Sequence, residues 1–269
     1  MINLLRADMY RIFRGKGIYI TFAVMLAIII LTIFVFREAP VAGVSPEIVI
    51  EDFEFADRQL GETTITGAIS AQMAVGAMNN MVYFFLPLIV IAVMATFSSG
   101  AVKNEISVGI SRVKFYFSKW LLAAGLSVLF MLVYFALSVI FAIIVGGTGY
   151  WGDGLVAEIA KAFGLQTILT LGFVSLGVFF GFVTRRSAAV IGLYIALTLV
   201  PSIVISILMG AFPRAIEVFQ YELFGMYFFF ASPGLLTNFE LWRSIAVGLA
   251  YIILPTLAGV LIFKKAEIK

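Results

Sequence analysis

The chain has 269 residues, 62% of them hydrophobic and 12% charged, with a formal net charge of +3 at pH 7 and a mean hydropathy of +1.11. Soluble domains are about 45–50% apolar and about 25% charged, so a water-soluble enzyme, a disordered chain and a nucleic-acid-binding module are excluded in favour of an integral membrane protein. With no Cys and no His, the sequence holds no disulfide framework, thiolate nucleophile, imidazole base or Cys/His zinc site.

Residues 1–17 come first. Ile2, Leu5, Met9, Ile12 and Phe13 recur at helical spacing, with Asp8, Arg11 and Arg14 between them. That pattern predicts an interfacial helix, apolar side in the acyl boundary and basic groups toward anionic headgroups. A plain basic flank for the first span is the competing reading. The apolar run that follows is too long for a signal-peptide core and lacks a small-x-small cleavage site.

A bilayer core takes about 20 mostly apolar residues per helix. Six segments qualify: residues 18–36, 73–97, 120–145, 163–183, 188–209 and 245–263. The second and third are long, which predicts tilt or extension beyond the hydrocarbon. With the odd loops outside, 13 of the 18 basic residues and only 3 of the 15 acidic ones fall on the side that holds both termini. Lys and Arg near helix ends stay in the cytoplasm, so both termini are expected there. No internal repeat or long linker divides the chain, which predicts one all-α membrane domain over residues 1–269.

The first outer loop carries Glu38, Glu47, Glu51, Asp52, Glu54, Asp57 and Glu62 against two Arg. It reads as a solvated loop, with attraction of cationic ligands as the alternative. Residues 210–243 are too aromatic for a free loop and too interrupted for a span, which predicts a pair of short re-entrant helices before the last span. Arg185 and Arg186, between spans four and five, read as topological anchors.

Within the spans there is no Asp, Glu or His. Intramembrane enzymes and ion-coupled carriers depend on such groups, so neither is expected. Asn79 and Asn80 in span two and Gln166, Thr167 and Thr170 in span four read first as interhelical hydrogen bonders. The sharper reading places Asn79, Asn80, Phe84 and Gln166 along a substrate path. Gly172, Gly177 and Gly181 in span four predict close helix packing. No G-x-x-x-x-G-K-[ST] occurs, since Gly15-Lys16-Gly17 lacks the upstream Gly and the following hydroxyl. Catalytic residues, metal ligands and cofactors are expected to be absent from this chain.

The loop between spans two and three is the most informative stretch. Gly100 and Gly109 permit bends, Ser111 is a fair N-cap for the next helix, and apolar and polar residues mix at the spacing of a short amphipathic helix. Lys103, Glu105 and Arg112 are expected on its exposed side, where charges would fix the register of a docked partner. A positive-inside loop explains the composition equally well. Phe97, Gly100, Lys103, Asn104, Ser107, Gly109, Ser111, Arg112, Tyr116, Ser118 and Lys119 resemble the signature of ABC-2-type transporter permeases, particularly the six-helix permeases of Gram-positive bacteria. Thr96 and Ala101 stand where that signature usually has an acid and a Thr.

The resemblance implies a coupling helix at Gly100, Lys103, Glu105, Gly109, Ser111 and Arg112 that contacts a separate ATPase subunit, which would bind ATP and Mg. It further implies a pair of permease copies in a bacterial cytoplasmic membrane. The implied work is export of a hydrophobic or amphipathic cargo, with peptides, antimicrobial ones included, ahead of lipophilic drugs. A non-transporting membrane sensor or assembly factor is the alternative.

Overall fold

The computed structural model describes residues 2–36, 66–98, 100–212, 218, 221–231 and 237–266. The seven acids expected in the first outer loop lie outside the described residues, as do parts of the aromatic 210–243 segment. Every element among the described residues is helical, as a bilayer requires of a backbone that must satisfy its own polar groups.

Helix α1 (Ile2–Arg14) ends at Gly15, whose N–H bonds back to the carbonyls of Arg11 and Ile12. Helix α2 (Lys16–Phe36) follows directly as the first span. The second span is where the expected single helix over residues 73–97 gives way to several pieces. Helix α3 (Gly67–Gly76) starts six residues earlier, capped by the Thr66 hydroxyl. A 3-10 turn (Met78–Met81) carries both Asn79 and Asn80, then come α4 (Val82–Ile89), a π turn (Val90–Met94) and α5 (Ala95–Ser98). Asn favours turns over helix interiors, and Pro87 removes a backbone donor inside α4. Both interrupt the ladder that periodicity alone predicts.

Gly100 in the left-handed conformation (φ 68°) turns the chain into α6 (Ala101–Ser107), which lies 72° off the preceding helical run. Ser111 then caps α7 (Arg112–Gly146), accepting from the Lys114 N–H. Its 35 residues reach about 52 Å at 1.5 Å per residue, well past the hydrocarbon, as the sequence predicts for this span. Helices α8 (Leu155–Thr184), α9 (Ser187–Ala211) and α11 (Asn238–Lys265) complete the spans. The short helix α10 (Leu223–Ala231) packs Leu223, Met226 and Tyr227 into the core before the last span. Of the expected re-entrant pair, this is the member that falls within the described residues. Among the described residues, five helices are long and apolar enough to cross a membrane, and the bent run makes up to six.

Helix α8 is the axis of the bundle. Its apolar stretch is 61% buried, against 17–28% for the other four long helices. A methyl group added at Gly177 would sit 2.6 Å from Ile89 Cδ1, and one at Gly181 3.0 Å from Val93 Cγ1. The small residues of α8 therefore seat the end of α4 and the π turn, as their spacing predicts. Both described ends of the chain lie at one end of the bundle, because α1 and the C-terminus of α11 each bond to the start of α7.

Candidate functional site

The turn that carries the candidate coupling residues is built at that terminal end. Gly100 and Gly109 (φ 94°) supply the left-handed bends at either side of α6, as their positions predict. Val102 is buried, and Ile106 and Ile110 pack against the core. The outward side presents Lys103, Asn104, Ser107 and Ser111, with Val108 83% exposed at the tip. A large apolar side chain left open between polar neighbours suits a docking surface.

Two of the residues expected on that side turn inward. Arg112 is half-buried, and its Nη1 donates to the carbonyl oxygens of Lys264 at 2.7 Å, Ala266 at 2.8 Å and Phe263 at 3.4 Å. It caps the last turn of α11, where orphan carbonyls and the helix dipole favour a cation. Glu105 is half-buried with Oε2 enclosed and without a hydrogen-bond partner. Desolvation pushes its carboxyl above the usual carboxylate range, Asp8 adds to the rise, and Lys119 and Arg11 oppose it.

The charged groups near Glu105 form a cluster that pattern reading does not anticipate. Lys119 is 0% exposed and Asp8 3%. The Lys119 ammonium donates to Asp8 Oδ2 at 2.5 Å, and Arg11 Nη2 donates to Asp8 Oδ1 at 2.8 Å and to Thr96 Oγ1 at 2.9 Å. Asp8 thus faces the protein, between Leu4 and Ile12 on the packed side of α1, rather than the headgroups. The signal was present in the sequence: Leu4, Asp8 and Ile12 follow i, i+4, i+8, which sets an acid inside an apolar stripe. The opposite side of α1 leaves Arg6, Met9, Tyr10, Phe13 and Arg14 exposed.

Above the cluster, Phe97, Phe115, Tyr116, Phe182 and Phe263 interlock at centroid separations of 4.5–5.9 Å. The Lys119 ammonium lies 5.1 Å from the centre of the Phe115 ring. Helices α5, α7, α8 and α11 are joined there by rings that pack edge-on and offset.

The candidate path residues divide. Asn80 and Phe84 line a cavity of about 360 Å³ between α2, α3, α4 and α7, with Ile29, Ile33, Met73, Met81 and Tyr134 around them. Among the described residues no charged side chain lines it. Gln166 is elsewhere: it is fully buried, and its Nε2 donates at 3.0 Å to the Val75 carbonyl, which the break after α3 leaves accessible. The Tyr194 hydroxyl donates at 3.0 Å to the Val82 carbonyl at the start of α4. The Asn79 side chain lies outside the described residues. Thr170 bonds the Tyr227 hydroxyl at 2.9 Å, an interhelical contact of the expected kind. Among the described residues no group of Asp and Glu is arranged to hold a metal ion.

The family model for the ABC-2 family transporter proteins matches residues 4–204, about three quarters of the chain. No curated protein matches it. The chain belongs to the ABC-2 transporter family, whose members are multi-pass membrane permease subunits without catalysis of their own.

Proposed function

We propose that this member of the ABC-2 transporter family is the permease subunit of a bacterial ATP-driven exporter, pairing with a second copy of itself and with two copies of a separate ATPase. The observation that supports this best is the outward side of α6, where Lys103, Asn104 and Ser107 surround the open Val108 at the end of a sharply bent span. A soluble partner gripping that side has a short lever joined directly to the broken second span. Both termini and the excess of basic residues then belong on the cytoplasmic side, where a soluble ATPase is found.

The cavity beside Asn80 and Phe84 supports an uncharged or amphipathic cargo, with peptides, antimicrobial ones among them, ahead of lipophilic drugs. Its described walls are mostly apolar, with Thr32, Ser70, Tyr134 and Ser138 among them, and the exposed Asn80 amide offers a donor and an acceptor to a peptide group. Movement of α6 would pass along α5 and the π turn to α4, one wall of this cavity. Single-turn π segments inside helices recur at functional sites.

Two results test the reading. The chain should co-purify with an ATPase whose gene adjoins its own and carries a Walker A sequence. Replacing residues 101–107 by a Gly/Ser segment should abolish ATP-dependent export from vesicles while the permease still reaches the membrane. Undiminished export by that variant, or signalling in the absence of any ATPase, would favour a sensor or assembly factor instead.

A further inference from the structure

The buried charges at the terminal end are not explained by stability. A buried ion pair is often replaceable by apolar side chains of similar volume with no loss of stability, because desolvation offsets most of the Coulomb attraction. What such a pair supplies and an apolar contact does not is a fixed register between the elements that carry it, as polar groups do in coiled coils.

Four elements meet here. Asp8 and Arg11 come from α1, Thr96 from α5, Lys119 from the beginning of α7, and Glu105 from α6 faces them. Helix α1 is separated from α2 by Gly15 alone, and α2 supplies Ile28, Ile29, Thr32 and Ile33 to the far side of the cavity. The cavity therefore has one wall connected to α6 through α4 and α5, and another connected to α1.

We infer that Asp8, Arg11 and Lys119 are positioning residues that fix α1 to the two elements flanking α6, namely α5 through Arg11 and Thr96 and the start of α7 through Asp8 and Lys119, so that α1 and α6 move as one lever and a push on α6 shifts both walls of the cavity together. The inference rests on α6 being the ATPase contact, and it assigns the N-terminal helix a part in transmission. Arg11 is the element that makes the joint directional, since one guanidinium nitrogen holds both the α1 carboxylate and the α5 hydroxyl.

The absence of cysteine allows a direct test on the full chain in lipid nanodiscs. Nitroxide labels at Tyr10→Cys, 67% exposed on α1, and at Val108→Cys report the α1–α6 separation by double electron–electron resonance. The expected result is one narrow distance distribution. Adding Asp8→Leu together with Lys119→Met, which removes both fully buried charges and leaves the Arg11 guanidinium, 37% exposed, to solvent and Thr96, should broaden or split it while the unfolding midpoint stays within a few degrees. With the ATPase present, that double variant should keep the complex and lose about tenfold in ATP-driven transport. An equally narrow distribution in the double variant without the buried pair, or full transport by it, would overturn the inference and identify the pair as packing alone. If no ATPase is found, the coupling reading fails, while the distance measurement still decides whether α1 and α6 are one body.

Discussion

The two ends of the bundle solve opposite problems. The terminal end is cross-tied: a buried ion pair, an arginine capping the last helix and five interlocked aromatic rings join α1, α5, α7, α8 and α11. The region around Asn80 is open: a broken helix and a cavity of about 360 Å³ with no charge in its walls among the described residues. Under the proposed function, rigidity is needed where force enters and slack where cargo passes. Mutations at the two ends should therefore differ in kind as well as in size.

The largest effect is expected at the ion pair. Asp8→Asn leaves the Lys119 ammonium buried without its counter-charge, and breaking one side of such a pair costs about 3–5 kcal/mol. Thermal unfolding of the purified chain checks this, and a loss below about 1 kcal/mol would show that the terminal end is looser than described. Next comes Gly259, where an added methyl group would press on the Tyr116 ring. Gly259→Ala should lose about 1–3 kcal/mol, as overpacking does. At Gly177 the same change meets the tip of a flexible Ile89 side chain and should cost less. Equal losses at the two glycines would erase the contrast between a fixed end and a yielding one.

In the open region, Ala74→Leu puts a larger side chain on the cavity wall. Stability should change by less than about 1.5 kcal/mol, while cargo-stimulated ATP hydrolysis should fall several-fold. A large loss of stability with normal stimulation would mean that the space is packing slack rather than a path.

The smallest effect concerns protonation. The Glu105 carboxyl is raised above its usual range, chiefly by desolvation, so the folded chain holds that proton more tightly than the unfolded one. This contribution is fully present at acid pH and is lost as pH rises through the raised midpoint. Glu105→Gln should therefore flatten the fall in stability between about pH 4.5 and neutrality, as followed by unfolding across that range. An unchanged slope would show that Asp8, Lys119 and Arg11 leave Glu105 with no net shift.

The sequence makes these regions unequally legible. Hydropathy alone finds the spans, because lipid-facing helices stay apolar on nearly every side and their period carries little ambiguity. The breaks in span two were written in Asn79-Asn80 and Pro87, yet a hydropathy window averages over them. Gly100, Gly109 and Ser111 were readable as bend, bend and cap, since backbone geometry restricts those sites to few residue types. The inward turn of Glu105 and Arg112 was not. A charged residue in a basic loop looks exposed until its partner is known, and those partners stand on α1 and α11, distant in sequence. Asp8 with Lys119 is the same case, although the acid inside the apolar stripe of α1 was a signal. Asn80 and Phe84 share a cavity and Gln166 does not, because Gln166 serves a carbonyl that only the break in span two exposes.

We propose α6 as the place where a partner ATPase takes hold. This is tested most directly by placing a maleimide-linked photo-crosslinker at Val108→Cys on α6 and, as a control, at Phe239→Cys, 75% exposed at the other end of the bundle, in membranes that also contain the ATPase. The expected result is a cross-link to the ATPase from position 108, sensitive to nucleotide, and none from position 239. Cross-linking from 239, or none from 108 in a complex that hydrolyses ATP and transports, would contradict it.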